Sequence, residues 1–546
     1  MNALEAASLV MIPSGYEDGT LGSLKPTDGS GDFTFTRCNG AAQCDLAATR
    51  VNADGYIEKG YENLLSHSNS FTTTWAQVGS FNVVGNQQGY DSSNDAWSIE
   101  SNTTAFDRRI QQSVSVSGVY TFAIYAKSNS TDWLLLYNGT DRVYFDLANG
   151  VVGSSESGLI IDSKIESTSV TGWYRCTATF NRAISFISVV PASGDGNSNV
   201  VTGNSIYIQD AMLNQGMVAY PYVETTTAPV AGGILEDMPR LDYTNGSCPS
   251  LLLEPSRTNL VSYSEYFDGW TKIGSPTITT NYGISPDGSK NSTRFETTND
   301  RIYTDVLSIS ANETFSVYMK GSGRVYLILG NTNNFNQVLT SEWQRYEFKT
   351  TQAGTNNVIQ IRASGTAVDM EIWGAQYETA SYPTSYIPTY GVSQTRLAEK
   401  LADGIDLGSF TSNYNTLFFD WGDMEGKSTF NRDIVRGWAT NNNSINVFRV
   451  LALTGGVLRY QVYSSGGDNQ IANYTCTSRD KVALVLNGSN SKLFINGSLY
   501  ATYNIDVPQG LRYFIYNGLS RNVTNQFTIF PTALSDEECI ALTTIS

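Results

Sequence analysis

The sequence predicts an all-β protein, a string of three β-sandwich modules behind an extended N-terminal arm. Three observations predict it. Apolar and polar residues alternate over short stretches rich in β-branched and aromatic side chains, as in Thr121-Phe122-Ala123-Ile124-Tyr125-Ala126, and no long stretch carries a helical period. A set of such stretches recurs in the same order, the mark of a duplicated module. Near the C-terminus, Asn-Gly pairs separate apolar stretches and supply the positive φ angles of tight hairpins.

Residues 1–60 form the arm. Gly and Asp crowd Thr27-Asp28-Gly29-Ser30-Gly31-Asp32, and the apolar positions are too few for a separate core, so the arm is expected to dock on a neighbouring subunit. Residues 61–224 are the first jelly-roll module and 259–390 its repeat. Asn63-Leu64-Leu65-Ser66-His67-Ser68, with Phe71 and Trp75, is answered by Asn259-Leu260-Val261-Ser262-Tyr263-Ser264, with Phe267 and Trp270. The stretch from Tyr120 to Lys127 is answered by that from Glu313 to Lys320, Trp173-Tyr174-Arg175 by Trp343-Gln344-Arg345, Ile208-Gln209-Asp210-Ala211 by Ile372-Trp373-Gly374-Ala375, and Tyr220-Pro221 by Tyr382-Pro383. The spacing between partners shrinks along the chain, so loops were shortened between fixed strands. Short strands divided by Gly, Asn and Ser clusters fit two-sheet sandwiches.

Between the modules, residues 225–258 read as a linker holding Pro229, Pro239, Pro249 and Pro255, and 391–408 as a second linker with a short helix over 394–401. Residues 409–546 form the third sandwich. Its strands at 482–486, 492–495 and 499–500 are divided by Asn487-Gly488 and Asn496-Gly497, and Ser535 is placed to cap a short terminal helix.

Composition narrows the function. Charged residues are 16% of the chain, and 34 basic against 51 acidic residues give a net charge of −17, which opposes binding to nucleic acid or an anionic bilayer. No apolar stretch reaches the roughly 18 residues of a membrane-spanning helix, and residues 1–12 lack a secretory pattern, so folding in the producing cytoplasm is expected. Six cysteines over 546 residues fit free thiols better than a disulfide framework, Cys38 and Cys44 being the one close pair.

The run Gly31-Asp32-Phe33-Thr34-Phe35-Thr36-Arg37, followed by Arg50-Val51-Asn52-Ala53-Asp54-Gly55-Tyr56-Ile57-Glu58, resembles the N-terminal segment of virion proteins from tailed phages infecting Bacteroidota. So do Pro239-Arg240-Leu241-Asp242-Tyr243, the stretch from Cys248 to Leu260, and Tyr382-Pro383-Thr384-Ser385-Tyr386-Ile387-Pro388. The C-terminal module is similar to concanavalin A-like or laminin-G-like domains. The resemblance implies a fibre, spike or decoration subunit of a virion, assembled in the host cytoplasm and held to other virion proteins through the arm. It further implies adhesion to host surface polysaccharide, by analogy as a homotrimer. A purely architectural capsid or tail subunit and a polysaccharide depolymerase are the alternatives.

The candidate sites follow from side-chain chemistry. The single histidine, His67, falls opposite Tyr263 in the repeat and reads as a packing position, which removes serine-hydrolase and histidine-metal chemistry. Asp420, Asp423 and Glu425 lack the spacing of a paired-carboxylate hydrolase, and the chain is expected not to be an enzyme. Asp195, Asn197 and Asn199 offer oxygen ligands for calcium, the one cofactor considered, but the loop lacks the EF-hand spacing and reads better as a solvated turn. Aromatic faces bind sugars by stacking. Trp75/Trp270 and Trp173/Trp343, matched across the repeat, are expected in cores, whereas Trp97, Trp133, Trp373 and Trp438 are the candidate sugar platforms.

Overall fold

The computed structural model describes residues 3–13, 15–17, 19–37, 45–156, 159–234, 237–244, 246–365, 367–401, 415–422, 432–438, 447–453, 457–464, 467–477, 479–504, 513–517 and 522–545. Among them the chain is all-β, with α-helix only at Ala3–Ala6 and Asp536–Thr543, neither long enough to cross a membrane. Three two-sheet sandwiches account for nearly all the strands.

In the first sandwich, Ile160–Ser167, Trp173–Asn181, Val119–Ser128, Ser205–Gln215, Ala96–Ser101 and Phe81–Gln87 lie side by side in that order. They face a sheet of Val151–Glu156, Arg142–Asp146, Trp133–Tyr137, Ile184–Ala192, Arg109–Val116 and Ala76–Val78. Alternation sends Phe122, Ile124 and Ala126 into the shared core and Tyr125 to the outer face.

The second sandwich repeats the plan with five strands per sheet, one of them ordered Thr277–Thr279, Thr293–Thr297, Val368–Glu378, Thr314–Ser322, Gln344–Lys349. The copies agree in detail. Tyr125 faces Arg175 and Gln209 as Tyr318 faces Arg345 and Trp373, and each long last strand bulges at a left-handed residue, Asp210 with φ 53° and Gly374 with φ 64°. Asn63 donates to the carbonyls of Ala211 and Val223, and Asn259 to those of Ala375 and Ile387, so each buried amide ties the last strand to the segment that leaves the sandwich. Trp75 and Trp270 are buried, each donating to the carbonyl of the residue at the His67/Tyr263 position.

The third sandwich corrects the expected arm and linkers. Leu9–Met11, Arg240–Asp242 and Ser250–Leu253 belong to its first sheet, the outer two pairing with Asn522–Phe530 directly and Arg240–Asp242 through Ser250–Leu253. Thr20–Leu21, Phe33–Thr36 and Lys400–Leu401 belong to its second. Leu9, Met11, Leu21, Phe33 and Phe35, all 1% exposed or less, share one core with Phe419, Trp421, Val482 and Phe527. These five apolar side chains of the arm are thus buried within this chain. The helix expected over 394–401 is two short strands, Gln394–Arg396 and Lys400–Leu401. Asn496-Gly497 makes the two-residue hairpin expected, with φ 49° and 79° and Ile495 opposite Ser498. Asn487-Gly488 instead opens a 3-10 turn over Gly488–Asn490. Ser535 caps the last helix in a capping box with Glu538.

Two buried charge clusters fasten these parts together. Arg240 is bonded to both Glu254 (2.9 Å) and Glu399, Arg37 lies 3.3 Å from Glu399, and Arg396 lies 3.1 Å from Glu254. Arm, both linkers and third sandwich meet there without exposed charge. In the other cluster, Lys59 lies 2.9 Å from Glu265 and 2.6 Å from Asp287, joining the end of the arm to the second sandwich. Cys38 and Cys44 lie outside the described residues; Cys176, Cys248, Cys476 and Cys539 are free thiols.

Candidate functional site

The outer face of the second sandwich carries the site. Along Thr314–Ser322, alternation puts Phe315, Val317 and Met319 in the core and turns Tyr318 and Lys320 outward. The antiparallel neighbour Gln344–Lys349 brings Arg345 opposite Tyr318, its guanidinium 5.6 Å from the ring centroid and donating to Ser316 Oγ at 3.0 Å. Lys320 Nζ stands 5.0 Å over the ring of Trp343, whose Nε1 donates to the Ile284 carbonyl at 3.0 Å and so fixes the indole.

A hairpin from the end of the arm, Thr49–Val51 and Ile57–Lys59, folds over this face. Ile57 N donates to the Pro286 carbonyl and Thr49 Oγ1 to that of Tyr386, while Asp242 accepts from Val51 N. At the hairpin tip Tyr56, 45% exposed, lies on Gly288, where a Cβ would stand 3.1 Å from the ring. Between hairpin and sheet is a groove of about 690 Å³, lined by Arg50, Tyr56, Tyr318, Lys320, Trp343, Arg345, Glu347 and Tyr386, with Asp242 and Leu252 of the third sandwich at one end. Its size and its place at a junction of modules are those of a small-ligand site.

Beneath the groove, Tyr386 packs on Trp373 at 4.5 Å and reaches Ser264, with Glu265 at 3.0 Å. Burial and the Glu265 charge push the Tyr386 phenol well above its usual range. Burial disfavours the Lys59 ammonium, but Asp287 and Glu265 outweigh it and hold its pKa well above the ordinary lysine value. These groups keep fixed protonation states at neutral pH and set the shape of the groove floor.

The tryptophans chosen from sequence fall differently. Trp373 is fully buried under Tyr386 and cannot stack on a ligand, a correction to its expected role. Its counterpart in the first copy is Gln209, so the missing aromatic partner reflected a change of packing. Trp97 is partly buried over Gly85 and edge-on to Phe71, with Nε1 donating to the Asn69 carbonyl, and belongs to the first sandwich. Trp133 is partly buried beside Gly153, where a Cβ would also meet Asp195. Trp438 ends the strand Arg432–Trp438, and its side chain lies outside the described residues. Trp343, expected in a core because it matches the buried Trp173, lines the groove. The unmatched stretch of the first copy around Tyr90, which covers Trp173, was the signal that could have revealed it.

Asp195 accepts from Ser154 N (2.7 Å) and Oγ (2.8 Å), hydrogen bonds that lower its pKa, and Asn197 Oδ1 accepts from Asn199 N. Among the described residues no group of three or more His, Cys, Asp and Glu side chains is placed to hold a metal ion. Asp420 is buried against Arg479 at 3.0 Å, and Asp423 and Glu425 lie outside the described residues.

No family model matches the sequence, and no curated protein matches it. Among solved structures, the chain is similar to the Ruminococcus gnavus IT-sialidase CBM40 bound to α2,3-sialyllactose, at 16% identity over 27% of this chain and 95% of that one, with a TM-score of 0.22. It is similar to a leech intramolecular trans-sialidase at 17% identity, over 27% of each chain and a TM-score of 0.22. A Trypanosoma rangeli sialidase mutant displaying trans-sialidase activity aligns at 9% identity over 85% of this chain and 97% of its own, TM-score 0.22. The expectation that the chain is not an enzyme is corrected on this finding and withdrawn, since proteins named as sialidases run alongside most of its length. Likeness at this level assigns neither an activity nor a ligand.

Proposed function

We propose that this protein is a glycan-binding adhesion subunit of a bacteriophage particle, with the groove of the second sandwich as its sugar site. The observation that carries the sugar reading is the groove itself. Trp343 and Tyr56 give ring faces for the C–H-rich side of a pyranose, and Arg50, Lys320, Arg345 and Glu347 give donors and acceptors for its hydroxyls. The virion role is supported by the resemblance of 31–58, 239–260 and 382–388 to phage virion proteins. A threefold particle would multiply modest single-site affinity.

The test is binding of the full-length chain to polysaccharide purified from the surface of candidate host bacteria, followed by titration calorimetry and by assay for new reducing ends. Binding that falls about tenfold or more in Trp343→Ala, with unchanged thermal unfolding, is the expected result. Absence of binding to every surface polysaccharide, together with recovery of the protein in purified particles, assigns it to particle architecture instead. Release of reducing ends that depends on the groove residues assigns it to the depolymerases.

A further inference from the structure

The duplication supplies an internal comparison for the groove. In the first sandwich the chain fills the equivalent place with its own side chain. Tyr90 stacks on Tyr125 with centroids 3.6 Å apart and planes 6° apart, meets Trp173 edge-on at 6.4 Å, and donates its hydroxyl to Asp210 at 2.9 Å. Trp173 is left 1% exposed, and Arg175 is bonded to the Tyr220 carbonyl. In the second sandwich the position of Asp210 is Gly374, and the matched Trp343 and Arg345 line the groove.

Arg345 differs from the other cations there. Arg50 is paired with Glu58 at 2.7 Å and Lys320 with Glu371 at 3.1 Å, whereas Arg345 makes no ion pair among the described residues. One of its N–H groups goes to Ser316, and its Nε is shielded from solvent without a hydrogen-bond partner. Of the lining carboxylates, Asp242 already accepts the amides of Val51 and Thr244, and Glu347, exposed at the groove, forms no ion pair with Arg345. A planar guanidinium held over the Tyr318 ring, in no ion pair among the described residues and lining the same groove as the Trp343 indole, suits a ligand that offers a ring and a carboxylate together.

We infer that the groove takes a carboxylate-bearing sugar, its ring against Trp343, the counterpart of the Trp173 that Tyr90 covers in the first sandwich, and its carboxylate on Arg345. This rests on the glycan-binding reading and narrows it to acidic sugars. With a net charge of −17 the chain repels anions at long range, so recognition depends on this local contact.

The experiment is an array of uronate- and nonulosonate-containing oligosaccharides, each printed beside its carboxyl-reduced form, probed with the full-length protein and followed by titration calorimetry. The acid form of the bound sugar is expected to bind about 10- to 100-fold more tightly than its reduced form. Arg345→Gln should abolish that preference, and Arg345→Lys should retain part of it. Equal binding of acid and reduced forms overturns the inference without any variant, as does an unchanged preference in a folded Arg345→Gln protein. If only neutral sugars bind, the glycan reading stands and this inference fails. If no oligosaccharide or host polysaccharide binds, both fail.

Discussion

Replacing Lys59 by Met should destabilise the docking of the hairpin on the second sandwich more than any surface change can. The ammonium sits 2.9 Å from Glu265, 2.6 Å from Asp287 and 3.3 Å from the Tyr390 hydroxyl, and the three charged side chains are each 2% exposed or less. Removing it leaves two carboxylates buried together, and breaking a buried pair from one side costs about 3–5 kcal/mol. For a unit the size of one sandwich with its hairpin, that is a fall in Tm of about 10–15 °C, read by calorimetry on the full-length protein. The loss should be constant through the neutral range. Lys59 has a folded pKa above its unfolded value, so its contribution is complete below that unfolded value and disappears only as alkaline pH passes the folded one. Burial works against the Asp287 carboxylate, but Lys59 holds its pKa below the usual value, so its contribution is lost only as pH falls through that lowered pKa. Lys59→Met combined with Glu265→Leu and Asp287→Leu should recover much of the stability, since an apolar replacement of a whole cluster is often neutral. A single-variant shift below about 2 °C would refute the reasoning, because it would mean the carboxylates find water or protons without disturbing the fold.

Phe35→Ala should destabilise the third sandwich by about 3–5 kcal/mol, seen in chemical denaturation, and protease should then cut near residues 447–503, far away in sequence. A change confined to the N-terminal segment would count against the shared core. Asp210, its carboxyl pushed up to about 7 by burial with Asp95 and Asp91 nearby, binds its proton more tightly folded than unfolded. Its stabilising effect is therefore full below the unfolded carboxylate pKa and lost as pH rises through about 7, so unfolding of the first sandwich should move to lower temperature between pH 5 and pH 8. Asp210→Asn should flatten that slope, and a slope unchanged in the variant assigns it to other groups. Gly497→Ala, at φ 79° in the two-residue turn, should cost about 1 kcal/mol or more in denaturant unfolding, whereas Gly194→Ala, with open space around it, should cost less.

What could be read in the sequence was what local chemistry determines. The alternation at 120–127 and 313–320, the Asn496-Gly497 turn and the Ser535 cap each depend on residues within a few positions of one another, and the structure has them. The strand Leu9–Met11 pairs with residues 527–529, and nothing in its own three residues names a partner at the other end of the chain. A short apolar stretch without an adjacent partner looks like an arm in search of a subunit, and the Pro-rich segment around Arg240 looks like a linker, although both are edge strands of a sandwich closed by the C-terminal residues. The tryptophans failed for a related reason. A repeat fixes where a side chain sits on the sheet, but its exposure depends on what lies above it. Tyr90 covers Trp173, while Trp343 packs against the cluster that includes the hairpin's Ile57 and still lines the groove.

That hairpin explains why the groove belongs to the whole chain and not to the second sandwich alone. Its floor is the Tyr318 and Trp343 face, yet its opposite wall is built from residues 49–57, held at one end by Thr49 on the Tyr386 carbonyl and at the other by Lys59. The far end is closed by Asp242 and Leu252, strand residues of the third sandwich, whose position is fixed by Arg240 in its cluster with Glu254 and Glu399. The width of the site is therefore determined by buried ion pairs that touch no ligand. Isolated sandwiches would present the aromatic floor without its wall, which is why the binding experiments call for the full-length protein.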